Sequence, residues 1–196
     1  DVASYFVDYV GQIKAPIRCG INVEHVTRIP GGTGFHVTTS AGNFEACHII
    51  AATGAFQDPV IPPLIPKCAP INQMHSNEYR NPEQLPEGAV LVIGAGSSGA
   101  QISEELMNSG RKVYLSVGAH DRPPRRYRGR DFVWWLGVLG KWDMQTPALG
   151  SEHVTIAVSG ADGGKTVDFR RFAFGGIHLV GMAEKYEKNT FYFADD

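Results

Sequence analysis

VLVIGAGSSGAQ, residues 90–101, reads as a short apolar strand running into a glycine turn and then a helix. The glycines at 94, 96 and 99 fit G-x-G-x-x-G, and each has a physical task. Gly94 permits the tight turn out of the strand, Gly96 lets backbone approach a pyrophosphate, and Gly99 lets the helix pack closely on the sheet. A helix starting there turns its N–H groups and the positive end of its dipole toward phosphate. Ala95 sits inside the turn, and Ser97 and Ser98 add hydroxyl donors. Glycine turns also arise for purely structural reasons, so context matters. Here apolar residues precede the turn, Ile102 and Leu106 share one face of the following helix to about Asn108, and Gly110 closes it before a second strand at RKVYLSV.

Upstream, Val2, Phe6, Val10 and Ile13 recur at helical spacing, and Pro16 ends that helix. IRCGINVEHVTRI, FHVTT and FEACHIIAAT, separated by the turns PGGTG and AGN, predict an antiparallel meander. The unbroken apolar run HIIAAT predicts that the third segment leaves the meander for a buried sheet, with Thr53 and Gly54 at its carboxyl end. Prolines at 59, 62, 63, 66 and 70 make DPVIPPLIPKCAP an extended linker. Downstream, five arginines fall between 122 and 130, and Asp131 can cap a helix through FVWWLGVLG. Residues 143–166 are glycine-rich and weakly patterned. A short helix is expected around residues 167–174, then a strand, a turn at EKN and another strand.

The chain has 196 residues, is 43% hydrophobic and 19% charged, and carries a formal net charge of -2. That balance gives no global attraction to nucleic acid or anionic membrane. Cys19, Cys47 and Cys68 form no CxxC, so neither a redox dithiol nor a zinc site is expected. No apolar run approaches the roughly 18 residues that span a bilayer, and the start is not signal-like, so a cytoplasmic setting is the default expectation. The chain opens on Asp1 without an initiator methionine, which fits a processed protein or an excised piece.

The end of the second strand bears on which dinucleotide is bound. An NAD or FAD site usually has an acid roughly 20 residues past the first glycine, on the ribose hydroxyls. That window here is LSVGAH, without an acid. Ser116 can hydrogen-bond a phosphate, and Arg122, Arg125 and Arg126 follow where a 2'-phosphate needs cations, so NADP(H) is favoured. Asp121 as a displaced ribose ligand, and the arginines as a solvated loop or RNA-binding patch, are the rival readings. Nucleic acid is disfavoured because the cluster is short, flanked by Asp121 and Asp131, and interleaved only with Tyr127. Spacing does not single out one arginine.

Three passages resemble flavin-containing monooxygenase-like proteins, and in particular a bacterial FAD-dependent flavoprotein branch. They are IIAATGAFQDPVIPPL, MHSNEYRNPEQLPEGAVLVIGAGSSGAQISEEL and VYLSVGAHDRPPRRYRGRDFVWWLG, and the ending TVDFRRFAFGGIHLVG fits the same branch. The resemblance implies an α/β architecture: a Rossmann-like NAD(P)-binding domain with part of an FAD-binding domain, in a flavoprotein of two dinucleotide-binding domains. It implies residues 1–60 as the latter part of the FAD domain with its meander, 61–85 as a linker and 86–196 as the NADPH domain. The flavin's own glycine turn is then expected before Asp1 and the returning FAD segment after Asp196. Ala52, Thr53 and Gly54 are implied to lie near the dinucleotides. FAD and NADPH are the implied cofactors, and a small organic molecule is the substrate.

Two departures are visible. His75 and Tyr79 match the second half of the family's monooxygenase signature, but Ala69 and Ile71 stand where its aromatic and glycine would be. Gly118 stands where the family usually has an arginine. No side chain is cast as catalytic acid, base or nucleophile, and Trp134 and Trp135 read as packing. The leading expectation is an NADPH-dependent monooxygenase-like flavoenzyme, with a non-catalytic NADP(H) sensor as the rival and homo-oligomerisation left open.

Overall fold

The computed structural model describes residues 2–54, 58–120, 123–145, 158–160 and 163–195. The chain divides into two compact units, Asp1–Gln57 and Asp58–Asp196.

In the first unit the predicted helix is present as α1, Val2–Ile13. It stops where Lys14 takes a φ of 52° and Ala15 N–H donates to Val10 O, just before Pro16. Its apolar residues Val2, Phe6 and Ile13 face solvent. The meander is β1 (Val23–Arg28), β2 (Phe35–Thr39) and β3 (Gly42–Ala46), paired antiparallel in chain order. The middle strand is the protected one, with Val37 and Thr39 buried.

The HIIAAT expectation fails. Residues 47–54 form no strand and are mostly exposed, Ile50 to 90%. A run apolar on both faces becomes a strand only between neighbouring strands, and none of the described strands is paired with residues 47–54.

The second unit is built on a parallel sheet of order β4-β5-β8, from β4 (Val90–Ile93), β5 (Val113–Ser116) and β8 (His178–Val180). The crossover between β4 and β5 is α2, Ser97–Asn108. Its end matches the glycine reading: Gly110, at φ 82°, donates to Met107 O, and Arg111 N–H donates to Leu106 O. This pairing satisfies carbonyls that the helix would otherwise leave open.

Central β5 is buried along nearly its whole length, as a parallel strand covered on both faces should be. Ala100 and Leu106 of α2, Val113 and Leu115 of β5, and Val167, Phe169, Phe172 and Ile177 form the core. Tyr79 and Leu85, from the stretch read as a linker, pack against it, as do Val90, Val92 and Ala95. Each fully buried Leu is worth about 1.5–3 kcal/mol in transfer free energy, so Leu106 and Leu115 fasten helix to strand.

Between β5 and β8 lie a two-residue hairpin of β6 (Arg126–Tyr127) and β7 (Arg130–Asp131), the helix α3 (Phe132–Val138) and the helix α4 (Phe169–Phe174). Asp131 and Asp168 are the N-caps, accepting from Val133 N–H at 3.1 Å and Arg170 N–H at 3.0 Å. The chain then forms the antiparallel hairpin β9 (Ala183–Glu187) and β10 (Thr190–Phe193). Lys188 and Asn189 both take positive φ in its two-residue turn, the geometry that matches strand twist. Among the described residues no helix is long and apolar enough to cross a membrane.

Candidate nucleotide-binding site

The three glycines behave differently. Gly94 has a φ of 96°, a left-handed conformation that L side chains rarely adopt. Its N–H donates to Ser116 O, tying the turn to β5 at the end of the sheet. Gly99 is enforced by contact, because a Cβ there would lie 1.9 Å from Gly94 O. Gly96 is neither strained nor crowded: its φ is -68° and a Cβ would meet nothing within 4 Å. Gly94 and Gly99 thus hold turn and helix together, while among the described residues nothing fills the space beside Gly96. Gly96 is also the N-cap of α2 and offers no side-chain cap, which leaves the first-turn amides to other acceptors. A pyrophosphate fits this turn.

The flanking residues divide further. Ser98 is exposed on the first turn. Ser97 Oγ accepts from Val158 N–H at 3.1 Å, and Gln101 Nε2 donates to Val158 O at 3.3 Å. Sequence reading cast neither Gln101 nor Val158, and no local signal could have found a contact across 57 positions. Ser98, Gln101, Ser159 and Gly160 contribute to a shallow cleft of about 770 Å3 along the flank of α2.

Ser116 needs correcting. Its side chain is buried, and its Oγ donates to Gly181 O at 2.9 Å while accepting from Ala183 N–H at 3.0 Å. The hydroxyl joins the end of β5 to Gly181 and to Ala183 at the start of β9, so the bonds it makes here are internal ones.

The arginines separate as well. Arg122 and Asp121 lie outside the described residues. Arg125 Nε pairs with Asp131 Oδ2 at 2.7 Å, its N–H donates to Thr166 Oγ1, and its guanidinium lies over the Phe132 ring. Arg126, one position on, is exposed on β6. The Asp131 carboxyl is held below its ordinary range, chiefly by the Val133 N–H bond and then by Arg125. At Asp168 partial burial opposes ionisation, but the Arg170 N–H bond and the Arg170 charge outweigh it and lower the pKa.

His75 accepts from Asn77 N–H through Nδ1 and helps shape a hydrogen-bonded loop, in which Arg80 donates to Asn77 O and Tyr79 O. Tyr79 OH donates to Glu105 Oε2 of α2 at 2.9 Å, and burial together with that bond raises the phenol's pKa. The signature-like segment is thereby pinned to α2. Trp135 Nε1 donates to Tyr127 O, whereas Trp134 is 46% exposed beneath the Arg130 guanidinium. In the first unit, Gly54 has a φ of 83° and Thr53 is exposed beside it.

A family model described as pyridine nucleotide-disulphide oxidoreductase matches residues 1–133. An uncharacterized oxidoreductase, CzcO-like, of Geobacillus kaustophilus is 42% identical over 142 residues, which cover 71% of this chain and 40% of that protein. The flavin-containing monooxygenase iboF of Amanita muscaria is 34% identical over 111 residues, 53% of this chain and 20% of its own length. The chain thus spans about 40% of the length of the CzcO-type relatives it matches. In structure it is similar to a mutant flavin monooxygenase from Stenotrophomonas maltophilia, with a TM-score of 0.67 and 19% identity over 97% of this chain and 51% of that one. The likeness is one of fold, that of flavoproteins with two dinucleotide-binding domains.

Proposed function

The chain belongs to the pyridine nucleotide-disulphide oxidoreductase family, and from that premise we propose that it is part of an FAD-dependent oxidoreductase, an NADPH-dependent monooxygenase. Residues 86–196 would form the NADPH domain, 61–85 the linker, and 1–60 the latter part of the flavin domain, with Thr53 and Gly54 near the cofactors. Gly94, Ala95, Gly96, Ser97, Ser98 and Gly99 would hold the pyrophosphate, and of the candidates Arg125 and Arg126 it is the exposed Arg126 that would take a 2'-phosphate. A flavin held by the whole protein would supply the hydride acceptance from nicotinamide and the oxygen chemistry that oxygenation of a small organic substrate needs. This chain's part is to bind and orient the coenzyme. The observation that supports the reading is the glycine turn itself: left-handed at Gly94, in contact at Gly99 and open at Gly96.

Gly96→Val tests it. Its Cβ meets no protein atom, so folding should change by only about 1 kcal/mol through the poorer helix cap, while NADPH binding is lost. Retained NADPH affinity by calorimetric titration would overturn the site. Oxygen-dependent NADPH consumption by the native gene product supplied with FAD supports the monooxygenase, whereas tight NADPH binding without consumption supports the sensor.

A further inference from the structure

We infer that Gln101 is a positioning residue for the coenzyme, acting through the Val158 peptide to orient the Ser97 hydroxyl; this rests on the NADPH reading of the glycine turn. The side-chain amide of Gln101 donates to Val158 O at 3.3 Å, and the N–H of the same residue donates to Ser97 Oγ at 3.1 Å. Val158 is therefore held at both its polar backbone atoms by two side chains one helical turn apart on α2. The adjoining Ser159 is only 2% exposed, so this stretch is seated on the helix.

The consequence follows from the valence of a hydroxyl, which has one proton to donate and two lone pairs to accept with. With one lone pair of Ser97 Oγ taken by Val158 N–H, the proton turns away from that N–H and toward another acceptor. Ser97 opens α2 directly after Gly96, where an added Cβ would meet no atom of the described residues within 4 Å and the N-cap supplies no side-chain bond to the first-turn amides. An anionic oxygen placed there meets a hydroxyl whose rotation is already restricted, so less entropy is lost on binding. Gln101 touches no coenzyme atom in this scheme; it fixes the group that does.

The test is a cycle of Ser97→Ala, Gln101→Ala and the double variant, made in the full chain and titrated with NADPH and with adenosine 2'-monophosphate. Gln101 is exposed, and alanine keeps the helix. The inference expects Gln101→Ala to weaken NADPH binding about tenfold, the scale of one hydrogen bond to a charged group. It also expects no further loss in the Ser97→Ala background and an unchanged affinity for adenosine 2'-monophosphate, which has no pyrophosphate. Additive losses, equal losses for both ligands, or no loss for either would overturn it. Failure of the site itself reads differently, since Gly96→Val would then leave NADPH binding intact.

Discussion

The glycine turn at residues 94–99 and the arginine-rich stretch at 123–131 belong to the same unit, yet they carry information in opposite ways. In the turn, backbone does the work: a positive φ at Gly94, a contact at Gly99 that excludes a Cβ, and open space at Gly96. Each requirement admits almost one residue type, so the letters report the geometry. In the arginine stretch, side chains do the work, and identical letters meet different fates. Arg125 is clasped to Asp131 and Thr166, whereas Arg126 beside it is exposed. Backbone constraints are thus legible residue by residue, while the division of labour among like side chains is set by neighbours distant in sequence.

The strongest challenge to this contrast is Gly99→Ala. One added carbon would sit 1.9 Å from a main-chain oxygen that cannot rotate away, so α2 must lift from the sheet. We expect a loss of about 3 kcal/mol in denaturant unfolding, the upper range for overpacking. A loss below about 1 kcal/mol would mean that the helix and strand are not in this contact.

A smaller effect should separate the two arginines. Arg126→Ala is expected to reduce the preference for NADPH over NADH by about tenfold, the scale of a lost charge-assisted bond to phosphate, with little change in Tm. Arg125→Ala should lower Tm and leave most of the preference in place. The reverse pattern, read from paired titrations and thermal melts, would hand the phosphate to Arg125.

The smallest expected effect concerns Asp131. Its folded pKa lies below the unfolded one, so its stabilising contribution is complete above the ordinary carboxylate pKa and disappears as pH falls through the folded value. Asp131→Asn keeps an N-cap but removes the charge facing Arg125, and should melt a little below the parent at pH 7. The difference should vanish only once the pH has fallen through the depressed folded pKa, beneath the usual carboxylate range. A gap that persists in acid would assign the effect to something other than the ionised carboxyl.

The same division explains what could be read in advance elsewhere. The bounds of α2, the cap Asp131 and the EKN turn were legible because each is a local bargain between a side chain or a φ value and backbone within four residues. HIIAAT misled because its apolar letters state a need for neighbouring strands without supplying them, and none of the described strands is paired with it. Ser116 misled for a related reason. A serine at a strand end looks the same whether its hydroxyl faces solvent or, as here, binds Gly181 and Ala183 across more than 60 positions. Val158 is the extreme case, since a peptide group acting through backbone alone leaves no residue-type signature.

Gly99 rests on the carbonyl of Gly94 with no side chain between them. Helix and strand are therefore locked in pitch and spacing at that point, and no mutation can tune the distance, because every available change is too large. If the turn holds a coenzyme as proposed, discrimination between coenzymes would fall to side chains in the loops that follow β5, because the glycines of the turn have no side chain to vary.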